Sequence, residues 1–121
     1  MANPFVHVEL ITPDVAEARS FYTALFDWKL DDVEMAPGFT YSMIRVGEGT
    51  GGGMMKTPMP GVPTAWTPYV LVEDVVAATE KAKSLGARVV KDVTEVKDAG
   101  FFSIIVDPAG ATIGLWQPKA R

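Results

Sequence analysis

The sequence contains a single histidine, His7, and a carboxylate two residues later, Glu9. Residues 5–11 alternate between apolar and polar types and are rich in β-formers, which predicts a strand with His7 and Glu9 on one face. An imidazole beside a carboxylate can transfer protons or hold a bound molecule by hydrogen bonds. The pair is equally compatible with structure alone, in which His7 is hydrogen-bonded to Glu9, Tyr41 or Thr67. Both interpretations stay open at this level.

A cation is expected on the same face. Residues 39–46 predict another strand, and placing Ile44 and Val46 toward a helix turns Tyr41, Met43 and Arg45 to the opposite side. Arg45 paired with Glu9 would orient an anionic substrate, since guanidinium binds carboxylates through two hydrogen bonds. The alternative is an ordinary ion pair between strands at a wet rim.

These strands belong to an internal repeat. Shifting the chain by 60 residues aligns Asp14 with Asp74 and Ile44 with Ile104. Strands are predicted at residues 5–11, 28–33, 39–46, 51–56, 66–72, 88–92, 100–106 and 111–117. The order is therefore βαβββ twice. A Pro/Gly linker at residues 57–63 separates module 1–56 from module 64–121, and we expect both modules to form a single domain, because half of the chain buries too little surface alone.

Each module predicts one helix after its first strand. In the first, Thr12 is expected as the N-cap and Pro13 at the first helical position. In the second, Asp74 is the expected N-cap, and Gly86 suits the position just past the helix end.

Strand alternation predicts a pocket lined by aromatic, methionine and hydroxyl side chains, which is the usual form of a small-molecule site. We expect Gly52, Lys56, Ile105, Thr112 and Gly114 on this inner face as well. The candidate ligand-binding residues are His7, Tyr41, Met43, Arg45, Met54, Thr67, Tyr69, Phe101, Ser103 and Trp116. Core packing is the competing explanation for the methionines and aromatic residues.

Composition excludes several other functions. The 121 residues carry a net charge of −4 and no basic block, which disfavours nucleic-acid and anionic-membrane partners. The absence of cysteine removes thiol nucleophiles and thiolate metal sites. No secretory signal or membrane-length apolar run is visible, so we expect a cytoplasmic protein.

Two motifs carry a family resemblance. Phe21-Tyr22-x-x-Leu25-Phe26-x-Trp28, together with Asp107-Pro108-x-Gly110-x-x-x-x-Leu115-Trp116, resembles the vicinal oxygen chelate superfamily. That superfamily includes glyoxalase I, bleomycin-resistance proteins and extradiol dioxygenases. The resemblance implies an α+β fold in which two βαβββ modules form a curved mixed sheet around a cup, with the helices on its outer face.

The resemblance also implies four metal-ligand positions, two in each module. The first-strand positions fall on His7 and Thr67, and the last-strand positions on Met54 and Gly114. Only the histidine is a good ligand for a hard or borderline divalent ion. We therefore expect no metal or other cofactor.

The function expected from these observations is metal-free binding of a small, partly apolar or aromatic molecule in the cup, as in the bleomycin-resistance branch. The alternative is a glyoxalase-like lyase or isomerase in which His7 and Glu9 are catalytic, with a divalent metal or by acid/base chemistry alone. We also expect a homodimer, because apolar residues are concentrated around the linker.

Overall fold

The computed structural model describes residues 2–119, which form an α+β fold. The elements are β1 (Phe5–Thr12), α1 (Val15–Leu25), β2 (Lys29–Ala36), β3 (Phe39–Arg45), β4 (Gly52–Lys56), β5 (Ala65–Leu71), α2 (Val75–Ser84), β6 (Arg88–Val96), β7 (Gly100–Val106) and β8 (Thr112–Pro118). This order confirms the predicted repetition of βαβββ. Residues 57–64, which include the predicted linker at 57–63, contain no helix or strand. Within residues 2–119, neither helix is long and apolar enough to cross a membrane.

Residues 7–66 form one compact unit, the N-terminal unit. Its strands lie in the order β2-β3-β4-β1, with β4 parallel to β1 and antiparallel to β3. One face of this sheet packs against α1 around the buried side chains of Leu10, Ile44 and Met54. We call the other side of this sheet the helix-free face.

Residues 2–6 and 67–119 form the second compact unit, the C-terminal unit. Its strands lie in the order β5-β8-β7-β6, with β5 parallel to β8. Val75 of α2 packs with Ile105 and Leu115 in the core. The buried hydroxyls of Thr79 and Ser103 are 2.8 Å apart and hydrogen-bonded beneath α2.

The helix starts are set by aspartates. The carboxylate of Asp74 accepts a hydrogen bond from the Ala77 N–H at 3.0 Å, as predicted for an N-cap. The prediction for α1 was wrong, because Asp14 rather than Thr12 is the cap. Thr12 is still part of β1, since a residue before proline is held in the extended region. Pro13 consequently precedes the N-cap instead of opening the helix.

The end of α2 matches its prediction. Gly86 has a φ of +99°, the left-handed conformation that glycine adopts without strain. The N–H of Ala87 donates to the carbonyl of Ala82 at 3.0 Å and closes the helix end.

The turn between β7 and β8 also forms as its sequence predicts. The N–H of Gly110 donates to the Asp107 carbonyl at 3.0 Å, which is the hydrogen bond of a β-turn. The Asp107 carboxylate accepts further bonds from the N–H groups of Ala111, Ala109 and Gly110. These donors, with that of Ala111 contributing most, hold the pKa of Asp107 below its usual value.

The internal repeat changes its spacing along the chain. Glu9 lies opposite Gly53, whereas Tyr69, which is 60 residues after Glu9, lies opposite Gly114, which is 61 residues after Gly53. Strand β6 contains two extra residues between Val89 and Thr94, whereas β2 contains one between Glu34 and Ala36, and this difference of one residue shifts the register. A slip of one residue moves every side chain of a strand to the other face of the sheet.

This slip overturns the predicted faces of β7 and β4. Phe101 and Ile105 pack in the α2-covered core with Ser103, so the placement of all three on the inner face was wrong. Ile104 lies opposite Gly114, on the face away from α2. In the N-terminal unit, Met54 is fully buried in the core beneath α1. Alternation therefore puts Gly52 and Lys56, like Met54, on the α1 side of β4.

Candidate functional site

The centre of the helix-free face is the side chain of Tyr41 on β3. Its ring lies across Gly53 of β4, and a Cβ at Gly53 would overlap the Tyr41 ring. The missing side chain thus lets Tyr41 reach over one strand to β1. Although Tyr41 belongs to β3, its hydroxyl contacts two side chains of β1, and the residue is only 8% exposed.

The Tyr41 hydroxyl links His7 to Glu9. It donates a hydrogen bond to Glu9 Oε1 at 2.9 Å and lies 2.7 Å from His7 Nε2. A hydroxyl has only one proton, so with Glu9 ionised the phenol oxygen accepts from His7 Nε2–H. The Tyr41 hydroxyl thus joins the imidazole of His7 and the carboxylate of Glu9 in one hydrogen-bonded chain.

His7 is held in its neutral form by its surroundings. Burial lowers the pKa of His7 below the ordinary value of 6.5 for an imidazole, because desolvation disfavours the imidazolium ion. The imidazole ring is roughly parallel to the Tyr41 ring, at 23°, with 6.1 Å between their centroids. A neutral imidazole in a hydrogen-bonded chain can accept a proton or hold a ligand donor.

Arg45 lies on the same face but does not pair with Glu9, the pair that both interpretations assumed. Its Nε donates to the carboxylate of Asp31 on the neighbouring strand, and both side chains are exposed. Glu9 is instead bonded to Tyr41. Because β4 lies between β1 and β3, Arg45 is separated from His7 and Glu9 by about 10 Å of sheet. Met43, between Tyr41 and Arg45 on β3, is 38% exposed.

The C-terminal unit repeats the tyrosine-over-glycine arrangement. The ring of Tyr69 on β5 covers Gly114 on β8, where a Cβ would overlap it. Tyr69 also meets Phe102 edge-on, at 6.2 Å between centroids. Trp116 lies opposite Phe102 and so shares the face away from α2, as predicted for Tyr69 and Trp116. Alternation places Thr67 and Thr112 on that side as well.

The structure thus sorts the candidate residues by unit and face. His7, Glu9, Tyr41, Met43 and Arg45 share the helix-free face, while Met54, Phe101 and Ser103 lie in the two cores. Sequence reasoning missed Asp31 and the role of Gly53. Asp31 stands in a predicted strand that alternates poorly, so its face carried no signal. The glycine run did signal a close approach, although it did not indicate which group approaches which glycine.

Comparison with known proteins decides the family. Residues 5–115 match the Glyoxalase/Bleomycin resistance protein/Dioxygenase superfamily. The chain belongs to this superfamily. The resemblance expected from the sequence motifs is therefore confirmed over nearly the whole chain.

Curated relatives of this superfamily member include longer proteins. It is 34% identical over 113 residues to the protein named putative glyoxylase CFP32 of Mycobacterium bovis, covering 93% of this chain and 43% of that protein. It is 29% identical over 123 residues to anthracycline biosynthesis protein DnrV of Streptomyces peucetius, covering 90% and 45%. The chain thus spans less than half the length of these curated relatives.

Solved structures agree in fold at low sequence identity. A hypothetical protein, BH1468 from Bacillus halodurans C-125, superimposes with a TM-score of 0.76 at 13% identity, covering 100% of this chain and 98% of that one. Methylmalonyl-CoA epimerase from Mycobacterium tuberculosis has a TM-score of 0.72 at 19% identity, with 96% and 88% covered. These similarities establish the α+β fold of the superfamily member.

The residues at the superfamily's metal-ligand positions do not fit a metal ion. In the C-terminal unit, the metal-ligand position of the last strand is Gly114, which lies opposite Tyr69. The residue of β4 in the equivalent place, opposite Glu9, is Gly53 and not the expected Met54. Both glycines lack a ligating atom in a side chain, and a tyrosine ring covers each of them. Within residues 2–119, no group of three or more histidines and carboxylates is arranged to hold a metal.

Proposed function

We propose that this superfamily member binds a small, partly apolar or aromatic molecule on the helix-free face of its N-terminal unit, without a resident metal. The observation that carries the proposal is the Tyr41 ring lying over Gly53. It replaces a ligand position of the superfamily by an aromatic ring whose hydroxyl is hydrogen-bonded to His7 and Glu9.

The chemistry of the face defines what it would bind. Met43 supplies a partly exposed thioether that adapts to ligand shape, next to the mostly buried ring of Tyr41. Glu9 and His7, both hydrogen-bonded to the Tyr41 hydroxyl, make this part of the face polar, which favours a ligand with a hydroxyl or amide group. Arg45 beside Asp31 favours a ligand that also carries a carboxylate, toward the far side of the face.

The binding proposal is tested with a set of one-ring and two-ring aromatic molecules that carry hydroxyl, amide or carboxylate groups. Binding is detected by shifts in backbone amide NMR signals and quantified by calorimetry. We expect hits whose signals shift around His7, Tyr41 and Met43, with affinity lowered at least tenfold in His7→Ala and a melting temperature close to that of the unchanged protein. Thr40→Ala is a matched control, because Thr40 neighbours Tyr41 in sequence and is exposed on the opposite face of β3.

Loss of stability in His7→Ala with unchanged affinity would place His7 in a structural role. Hits that shift only signals remote from the helix-free face would contradict the proposed site itself.

The second candidate function is acid/base catalysis, favoured by the hydrogen-bonded chain from His7 through Tyr41 to Glu9. A neutral His7 with a lowered pKa is ready to accept a proton, and Tyr41 connects it to a carboxylate that shares the charge. The chemistry that this arrangement suits is removal of a proton from carbon next to a carbonyl group, as in an isomerase or lyase.

The enzyme proposal has its own test. Carbonyl-containing hits from the binding screen are incubated in deuterium oxide, and exchange of the adjacent C–H is followed by NMR. Catalysis predicts exchange that His7→Gln abolishes while the hit still binds. Binding without exchange supports the metal-free binding function.

We propose, in addition, that the protein is a homodimer. Supporting this proposal, Met59 in the linker is 62% exposed, and Phe21 and Leu25 on α1 are 59% and 57% exposed. Sedimentation velocity at several concentrations tests it, with a dimer mass expected and a monomer at all concentrations as the contrary result.

A further inference from the structure

A pocket lies in the N-terminal unit, on the opposite side of the sheet from Tyr41. Its volume is about 230 Å³, and its floor is formed by Val8 of β1, Ile44 of β3 and Val46, which directly follows β3. None of the residues that line it belongs to α1. Trp28 and Trp66, which pack against the same core, form its walls.

Strand packing keeps part of the floor free of side chains. A Cβ at Gly52 would overlap the carbonyl oxygen of Val8, and a Cβ at Gly51 would lie 2.8 Å from the carbonyl oxygen of Ile44. Close approach of the strands therefore requires glycine at both positions. The glycines leave bare backbone beneath the two indole rings.

The two indole rings are held in place by other contacts. The Nε1–H of Trp66 donates to the Tyr22 hydroxyl at 3.2 Å, which satisfies the polar edge of that indole. Trp28 packs on Phe26 and Tyr22, with centroids 4.8 and 5.6 Å away. The rings of Trp28 and Trp66 meet at 75° with 6.1 Å between centroids, so they form a fixed aromatic corner.

We propose that this pocket is a separate binding site for a neutral, planar aromatic molecule of one ring with small substituents. No residue that lines the pocket has an ionisable side chain, so a charged ligand would lose its hydration without compensation. An apolar cavity of about 150 Å³ holds a benzene ring, and the larger volume here leaves room for substituents. The aromatic corner presents one indole face and one edge to such a ring.

Intrinsic fluorescence provides the test, because two of the three tryptophans line the pocket. Nitrobenzene is the probe, since it is neutral and planar and quenches indole emission on contact. We expect saturable quenching of the unmodified protein. Val46→Phe, which fills the pocket, is expected to raise the nitrobenzene concentration needed for half-maximal quenching at least tenfold. Val76→Phe is the matched control: it makes the same substitution at a position of α2 that is 57% exposed, and it should leave the quenching curve unchanged.

Two results would overturn the proposal: quenching that rises linearly without saturation, or saturable quenching that Val46→Phe leaves intact. If thermal melting shows that Val46→Phe does not fold, the unmodified protein is examined with toluene by NMR. Nuclear Overhauser contacts between the toluene methyl group and the indole protons of both Trp28 and Trp66 support the site, and their absence at saturating toluene overturns it.

Discussion

The ring of Tyr41 lies across Gly53, and this contact is what brings the phenol to His7 and Glu9. Tyr41 starts from β3, and the two residues that it bonds stand on β1, with β4 between them. Any side chain at the crossing point would meet the ring. Gly53 is therefore required by space, because the Tyr41 ring occupies the position that its side chain would need.

Substituting Gly53 by alanine is the most direct test of this packing. The added methyl group would displace the Tyr41 ring, lengthen its bonds to His7 and Glu9, and lower the free energy of unfolding by about 1–3 kcal/mol. Urea unfolding measures the loss. In a protein that already carries Tyr41→Ala, the methyl group no longer meets a ring. Gly53→Ala should therefore lower the free energy of unfolding much less in that background than in the unmodified protein.

Gly114→Ala is the matched control, because its methyl group would meet the Tyr69 ring in the C-terminal unit. We expect a similar loss of stability with no change in the NMR titration of His7. A His7 titration that changes in Gly53→Ala and not in Gly114→Ala shows that displacement of the Tyr41 ring alters the environment of His7. Equal titrations in both variants would contradict this link between Tyr41 and His7.

The Tyr41 hydroxyl is expected to contribute to stability through Glu9. Tyr41→Phe keeps the ring and removes the bridge, and a hydrogen bond to a charged acceptor at this mostly buried position contributes about 1–2 kcal/mol. A double-mutant cycle with Glu9→Gln measures the coupling between the two residues. We expect a coupling near 1 kcal/mol, and a value within experimental error of zero would show that the bond is not formed in solution.

The lowered pKa of His7 predicts a pH dependence of stability. Because the folded state binds the proton more weakly than the unfolded state, stability is complete above the unfolded-state pKa of about 6.5 and falls as the pH decreases from there toward the folded pKa. His7 is the only histidine, so one imidazole C–H signal reports its titration. Replacing His7 by Gln should remove this part of the pH dependence. A measured pKa above 6.5 in the folded protein would contradict the burial of the ring.

The Asp31–Arg45 pair is expected to matter for ligand binding more than for folding. Both side chains are more than half exposed, and such pairs contribute about 0–1 kcal/mol. Arg45→Gln should therefore change the free energy of unfolding by less than about 1 kcal/mol. For a matched pair of ligands, the carboxylate should lose affinity in Arg45→Gln and its neutral amide should not. Equal losses for both ligands would exclude charge recognition by Arg45.

Local sequence signals predicted the elements of this fold well. The strands, the Asp74 cap and the glycine at the end of α2 follow from patterns a few residues long. The face of β7 could not be predicted in this way, because it depends on insertions in β6 that only the pairing of the two strands makes visible. That is why Phe101 and Ser103 were expected on the wrong side. The N-cap of α1 was misplaced for a local reason, since Thr12 and Asp14 are both good caps and only Pro13 decides between them.

The candidate site was predicted in part. Alternation placed His7, Glu9 and Tyr41 on one face, and a His7–Tyr41 hydrogen bond was among the alternatives considered. The Glu9–Arg45 pair was wrong because β4 separates β1 from β3, whereas Asp31 stands on the strand next to β3, diagonally across from Arg45. Charge alone does not identify which of several acidic residues a cation will meet.

The central claim, a ligand site without a metal, is tested most directly by elemental mass spectrometry of untagged protein purified without chelators. We expect a metal-to-chain ratio near zero, unchanged after incubation with nickel, zinc, manganese or iron(II), because Gly53 and Gly114 supply no ligand and tyrosine rings cover them. A ratio near one metal per chain that is lost in His7→Ala would contradict this account and make the metal-dependent enzyme the leading interpretation.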